Sequence, residues 1–481
     1  MSKGAIIGAS TVLAVAVVAA VCVVSFKEAK NEEDSTELAT SVKSIKSFCQ
    51  PVDYKVACEK TLEETAGNAT TTTELAKAIF KATSERIEKA VQESSLLNEL
   101  KHDPRTSGAL KNCKEMLHYA IDDLKTTFDQ LGGFEMTNFK HAMDDLKTWL
   151  TSALTYQETC LDGFANTTTD ASAKMRKALN VSQELTENIL SIVDEFGDTI
   201  ANLDLSIFSR RLLGHDGAPS GPDYKPYMTG AADGSGDYKT INEALAKVPL
   251  KSEDTYVMHV KEGTYKEYVS VARNVTNLVM IGDGVGKTVI TGDKNFMMNI
   301  TTKDTATMEA IGNGFFMRGI TVENTAGAKN HQAVALRVQS DQSVFYECQF
   351  DGYQDTLYTH TSRQYYRDCT VSGTIDFIFG NAQVVFQNCV LQCKVHIGGL
   401  RTFLGRPWKE HSRTLYIQSE IGELIDPQGW LPWLRDLARS PRHYAQERFI
   451  QGKLWISKYG VPFIPGLLPQ EQAAHTDTER S

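Results

Sequence analysis

From about Thr36 to Leu205 apolar residues recur every three or four positions. Leu110, Cys113, Leu117, Ile121, Leu124, Phe128 and Leu131 form one such line, and Met143, Leu146, Leu150, Ala153 and Leu154 form another, with charged residues between them. This spacing gives each helix one apolar stripe, which must be buried against other stripes. Gly132-Gly133 and Gly163 interrupt the rhythm where turns are needed, and Thr71 with Glu74 has the spacing of a capping box ahead of "LAKAIFKATSERIEKAV". The pattern predicts an antiparallel four-helix bundle over 36–205. No set of ligands or acid/base groups converges on one of its faces, so its plain role is that of a folding or interaction module.

After Tyr227 the period changes. Short β-branched and aromatic runs, "TYVMHVKEGTY", "NLVMIGDG", "TVITGD" and "GITVENTAG", are separated by Gly, Asn and Asp. An aromatic-x-x-Cys unit occurs at Phe345–Cys348, Tyr366–Cys369 and Phe386–Cys389, offset by 21 and then 20 residues. One coil of a parallel β-helix has that length, whereas a propeller blade needs about twice as much. The predicted fold class is therefore α + β multidomain: an N-terminal antiparallel four-helix bundle followed by a right-handed parallel β-helix over 227–460. Between them, 206–226 includes "SRRLLGHDGAPSGPDYKP", a Gly/Pro/Ser-rich linker with a dibasic pair, Arg210-Arg211, suited to proteolytic processing. Residues 461–481 read as an unstructured tail.

Charge and cysteine content add the compartment. Lys and Arg number 50 against 60 Asp and Glu, a formal net charge of −10, with no basic stripe to suggest nucleic acid. Between Lys3 and Lys27 there is no charge, and about 20 apolar residues suffice to cross a bilayer, so 1–30 reads as a signal anchor or signal peptide. The only membrane contact expected is through this segment. Export fits five Asn-x-Ser/Thr triplets, at Asn68, Asn166, Asn180, Asn274 and Asn299. In an oxidising compartment Cys49, Cys58, Cys113 and Cys160 allow three pairings, of which Cys49–Cys58 with Cys113–Cys160 is the local choice.

Chemistry is concentrated in "GTIDFIFG", where Asp376 sits among Ile375, Phe377, Ile378 and Phe379. An unpaired carboxylate there would protonate, so it needs partners or a purpose. Asp355 lies seven residues after Cys348 and Asp376 seven after Cys369, so stacked coils would bring the two carboxyls about 4.8 Å apart on one face. Such a pair shares a proton and supplies a base or nucleophile beside an acid. Gln332 and Gln354, 22 residues apart, are neutral donors suited to a developing oxyanion, and Arg406 in "LGRPWKE" offers a guanidinium to orient one carboxylate. Trp408 and Trp430 offer flat surface for sugar rings. No cofactor is implied: Cys389, Cys393 and His396 lack a fourth metal ligand, and "GDGVGKT" has Ile281 where a phosphate loop needs Gly.

"HQAVALR", "GYQDTLY", "GTIDFIFG" and "LGRPW" closely resemble the motifs of plant pectin methylesterases, from about Met228 to Trp433. The helical region resembles the inhibitor domain that many of these enzymes carry as a pro-region, and Arg210-Arg211-Leu212-Leu213 resembles their processing motif. The resemblance implies Asp376 as nucleophile, Asp355 as general acid and then base, Gln332 and Gln354 as the oxyanion hole, and Arg406 as partner of Asp376. It also implies methylated homogalacturonan as substrate, a processing protease and a pectin methylesterase or its inhibitor as partners, and the cell wall as location. Two departures stand out. Asp376 and Arg406 are only 30 residues apart, so more than one coil is missing between 390 and 402, and whether Arg406 still reaches Asp376 is left open. The usual ending is only faintly visible in "RHYAQERFIQGKLWISKYG". The competing expectations are a catalytically impaired pectin-binding or esterase-inhibiting wall protein, and a β-helix glycosidase. Two carboxylates about 5 Å apart also suit glycoside hydrolysis, although its cationic transition state gains little from the Gln pair.

Overall fold

The computed structural model describes residues 37–96, 103–131, 139–165, 167, 169–202, 224–394, 402–406, 408–409, 411–430 and 449–463. The apolar segment 1–30, Arg210 to Leu213, Asn166 and 464–481 lie outside the described residues. The chain divides into two compact units, 1–214 and 215–481.

The first unit contains α1 (Glu37–Phe48), α2 (Lys55–Thr65), α3 (Thr72–Leu96), α4 (Pro104–Leu131), α5 (Phe139–Asp162) and α6 (Ala171–Asn202). The four long helices form a closed ring of neighbours: α3 and α5 each pack on both α4 and α6. Their short connections require successive helices to run antiparallel. α3 begins with the capping box read from sequence, Thr71 Oγ1 accepting the Glu74 N–H at 3.3 Å and the Glu74 carboxylate accepting the Thr71 N–H at 3.2 Å. Leu117, Leu124, Leu146 and Leu150 are wholly buried. Disulfides join Cys49 to Cys58 and Cys113 to Cys160, the second tying α4 to α5. Between α5 and α6 the Ser182 hydroxyl donates to Gln157 Oε1 at 2.8 Å and the Gln157 amide donates to Thr186 Oγ1 at 3.0 Å, so the buried polar groups satisfy one another.

Among the described residues of the second unit every strand pairing is parallel, in sheets of eight, seven and five strands visited in rotation, which makes a parallel β-helix, right-handed as such crossovers are. One coil runs through Ser343–Tyr346, Gln349–Asp351 and Leu357–Thr359, and the next through Arg363–Arg367, Thr370–Gly373 and Ile378–Gly380. The aromatic-x-x-Cys repeat is the inner wall of these coils. Phe345, Tyr366 and Phe386 stack with centroids 4.7 and 4.6 Å apart, and Tyr416 continues the column at 5.1 Å. Cys348, Cys369 and Cys389 are buried free thiols beneath it. A fourth repeat, Tyr416-x-x-Ser419, escapes the sequence reading because Ser replaces Cys and the spacing widens to 30.

The strands on either side of the shortened stretch still stack as neighbours. Gln383–Gln387 pairs directly with Arg413–Ile417, and Val390–Cys393 with Glu420–Ile421. Between them, Gly405 lies against Ile378, and the Trp408 N–H donates to Gly380 O at 3.2 Å. The chain end is also better built than its sequence suggests. Phe449, Ile450, Trp455, Ile456, Tyr459 and Val461 cover the outer face of the eight-stranded sheet, over Val257, Val279, Phe316, Val344, Tyr365 and Val385. Trp455 donates its indole N–H to Ile450 O at 2.8 Å, and Tyr459 its hydroxyl to Gly314 O at 2.6 Å. The tail expected to be unstructured from 461 thus starts with buried Val461 and with Phe463 packed edge-on to Tyr365. Among the described residues no helix is long and apolar enough to cross a membrane.

Candidate active site

The site lies where the chain turns into the five-stranded sheet. Leu357 pairs with Ile378, and two residues earlier the Asp355 N–H donates to Ile375 O at 3.1 Å, so Asp355 and Asp376 hold matching positions on adjacent coils. Inward apolar residues, Phe377 and Ile378, anchor the turn in the core. Both aspartates have left-handed backbone, with φ of 65° and 48°, a conformation that Asp adopts more readily than most side chains. Gln354 directly precedes Asp355 on the same coil, and the coil before it contributes Gln332, held in register by the Ala333 N–H bond to Gln354 O at 3.1 Å. Both glutamines are half-buried, and the amide oxygen of Gln332 is buried with no hydrogen-bond partner.

Arg406 reaches Asp376 despite the shortened chain. Its Nε lies 2.9 and 2.8 Å from the two carboxylate oxygens, and its Nη2 also contacts Oδ2. Gly405 makes this approach feasible: a Cβ there would meet Ile378 O at 1.9 Å, so only glycine lets the 402–406 segment lie against the Ile378–Gly380 strand. Burial pushes the Asp355 carboxyl well above the usual carboxylate range, the negative charge of Asp376 adds to this, and Arg406 opposes it. The result is a carboxyl whose proton affinity is raised, beside a carboxyl gripped by a guanidinium.

The two tryptophans differ. Trp408 is half-buried and packs on Tyr358 and Phe379, both at 5.1 Å between ring centroids, and those two rings stack on each other at 4.5 Å. Trp430 stacks on Tyr416 at 5.9 Å and closes over Gly405, so its visible contacts are packing contacts. Tyr358 and Phe379 were not singled out from the sequence, although their 21-residue offset is in phase with that of the aspartates. Further along the same outer face Arg337 is completely buried and paired with Glu309. Burial alone would raise the Glu309 carboxyl, but Arg337 and Lys303 outweigh it and hold it at about 2. His360 is buried beside them, and burial, with the Arg337 and Lys303 charges, pushes its pKa well down, so it stays neutral. Asn68, Asn180, Asn274 and Asn299 are exposed. Among the described residues no group of three His, Cys, Asp or Glu side chains is arranged to hold a metal ion.

Comparison with known proteins agrees with this layout. The pectinesterase family model matches residues 227–400 and 391–452, and the plant invertase/pectin methylesterase inhibitor model matches 43–192. Probable pectinesterase/pectinesterase inhibitor 21 of Arabidopsis thaliana is 40% identical, covering 98% of this chain and 84% of its own length. That alignment is 563 positions long, more than the 481 residues of this chain, so the relative carries residues with no counterpart here. Pectinesterase 1 of the same plant is 36% identical over 81% of this chain and 77% of its own. Among solved structures, pectin methylesterase from carrot is 37% identical, covers 50% of this chain and 98% of its own, and superposes with a TM-score of 0.47. The chain belongs to the pectinesterase family, with an inhibitor-type helical domain ahead of its β-helix.

Proposed function

We propose that the protein hydrolyses methyl esters of pectin, releasing methanol and de-esterified pectate, with Asp376 as nucleophile. A carboxylate oxygen of Asp376 attacks the ester carbonyl of a galacturonate unit, and the carbonyl π electrons move to oxygen. Gln332 and Gln354 donate to that oxygen, an effect typically worth a few kcal/mol per donor. The intermediate collapses with cleavage of the C–OCH3 bond, and Asp355 gives its proton to departing methanol. Asp355, now anionic, takes a proton from water, whose oxygen attacks the acyl-enzyme anhydride and frees pectate and Asp376. Arg406 holds the Asp376 carboxylate and keeps it aimed throughout. The single observation that carries this reading is the two-point grip of Arg406 on Asp376 beside buried Asp355, whose carboxyl is pushed well above the usual range. It also speaks for turnover over the binding-only alternative, since a pectin-binding groove has no need of a carboxyl whose proton affinity is raised.

The wider setting belongs to the same proposal. The precursor is exported to the cell wall, the helical unit acts as an inhibitory pro-region, and a protease cuts near Arg210 to Leu213. Methanol release from methylated pectin by the cleaved protein tests the chemistry. The expected result is release by wild type and none from Asp376→Ala; equal release from the two would overturn the assignment.

A further inference from the structure

Beside the site stands an apolar turn that the mechanism does not use. Met297 and Met298 are adjacent in sequence and 58% and 51% exposed, although methionine is ordinarily a core residue. Their turn is well fixed. Buried Asn295 accepts the Met297 N–H at 3.1 Å through its side chain and donates to Asp293 O at 2.9 Å, and the N–H groups of Met298 and Asn299 close on Asn295 O and Phe296 O, each at 3.1 Å. The turn is tied to the site itself, because the Phe296 N–H donates to Gln332 O at 2.9 Å and the Phe296 ring meets the His331 ring edge-on at 6.2 Å. Met297 therefore begins one residue from a backbone bond to Gln332. A second exposed apolar side chain, Ile375 at 43%, directly precedes Asp376.

A pectin strand is polar except for its methyl ester groups, and an exposed thioether pair gains from covering such groups and nothing from covering a free carboxylate. We infer that the Met297-Met298 turn is a specificity element that binds methyl-esterified units flanking the one being hydrolysed, so that the protein favours densely esterified pectin. This rests on the esterase reading above. The test compares kcat/KM on pectins of high and low methyl esterification for wild type, the double variant Met297→Ser with Met298→Ser, and the double variant Met297→Leu with Met298→Leu. The serine pair should lower the high-to-low ratio roughly ten-fold, the lower end for loss of a methyl-sized apolar contact, mainly through KM on the densely esterified substrate. The leucine pair should restore the ratio. Methanol release with an unmoved ratio in the serine pair, or an equal loss on both substrates, would overturn this inference alone. No methanol from wild type on either substrate would overturn the esterase reading and this inference with it.

Discussion

The two units of this chain bury different things. Inside the helical bundle the buried polar groups are mostly hydroxyls and amides, which bond to a carbonyl of their own helix, as Thr83 does to Ile79, or across helices, as Ser182, Gln157 and Thr186 do. The β-helix instead encloses Arg337, Arg363, His360, Asp341 and Asp355. Arg363 is matched to Asp341 through two nitrogens, and Arg337 to Glu309. Buried charge is expensive unless paired, and a fold that needs only stability does as well with apolar residues. The difference teaches where function resides: the bundle is held by stripes and disulfides, whereas the β-helix maintains a polarised outer face on which burial and the neighbouring Asp376 push the Asp355 carboxyl well above the usual range.

The contrast breaks most sharply at Asp376. Asp376→Asn should lower kcat for methanol release by about 10⁴-fold or more while both units melt near their wild-type temperatures; retention of a tenth of the activity would remove the nucleophile from the scheme. Replacing Cys113 and Cys160 by serine opens a link spanning 47 residues and should cost the bundle about 4 kcal/mol. Calorimetry of the full chain should show that loss in the bundle transition and none in that of the β-helix. Gln332→Ala is expected to reduce kcat about 10²-fold with little change in KM, as loss of an oxyanion donor does. A matching rise in KM would instead assign Gln332 to ground-state binding.

The smallest effect concerns stability against pH. Asp355 has a folded pKa raised above its unfolded value, so the native state binds the extra proton, and stability falls as pH rises from the unfolded pKa, about 3.9, through the folded one. Asp355→Asn lacks this proton. At neutral pH its β-helix should melt about 2–4 °C above wild type, the shift that about 1 kcal/mol produces in a unit of this size, and the advantage should vanish near pH 4. A gap independent of pH would mean that Asp355 shares the ordinary titration of a surface carboxylate.

Much of this was legible in the chain. The stripe Leu110–Cys113–Leu117 announces a helix because helical period and burial coincide there, and Phe345, Tyr366 and Phe386 reveal the coil because one residue type recurs in phase. What stayed hidden depends on contacts that no local period encodes. The coil at Tyr416 carries Ser419 for Cys after a longer connection, and the covering segment of Trp455 and Tyr459 has irregular spacing suited to a sheet surface far away in sequence. The Arg406–Asp376 grip was undecided for the same reason. A separation of 30 positions says nothing of which backbone Gly405 will lie against.

That seat of Gly405 on Ile378 has a consequence for how such a molecule tolerates excision. In a stack of rungs each level takes its alignment from the one beneath, so material removed above the acid-bearing level leaves the geometry below undisturbed, provided the next rung lands in phase. The guanidinium is delivered by adjacency to its neighbouring layer and not by total length. Shortening by whole layers is thereby a permitted edit for this architecture, and the glycine is what lets the arginine-bearing segment settle onto the layer beneath it.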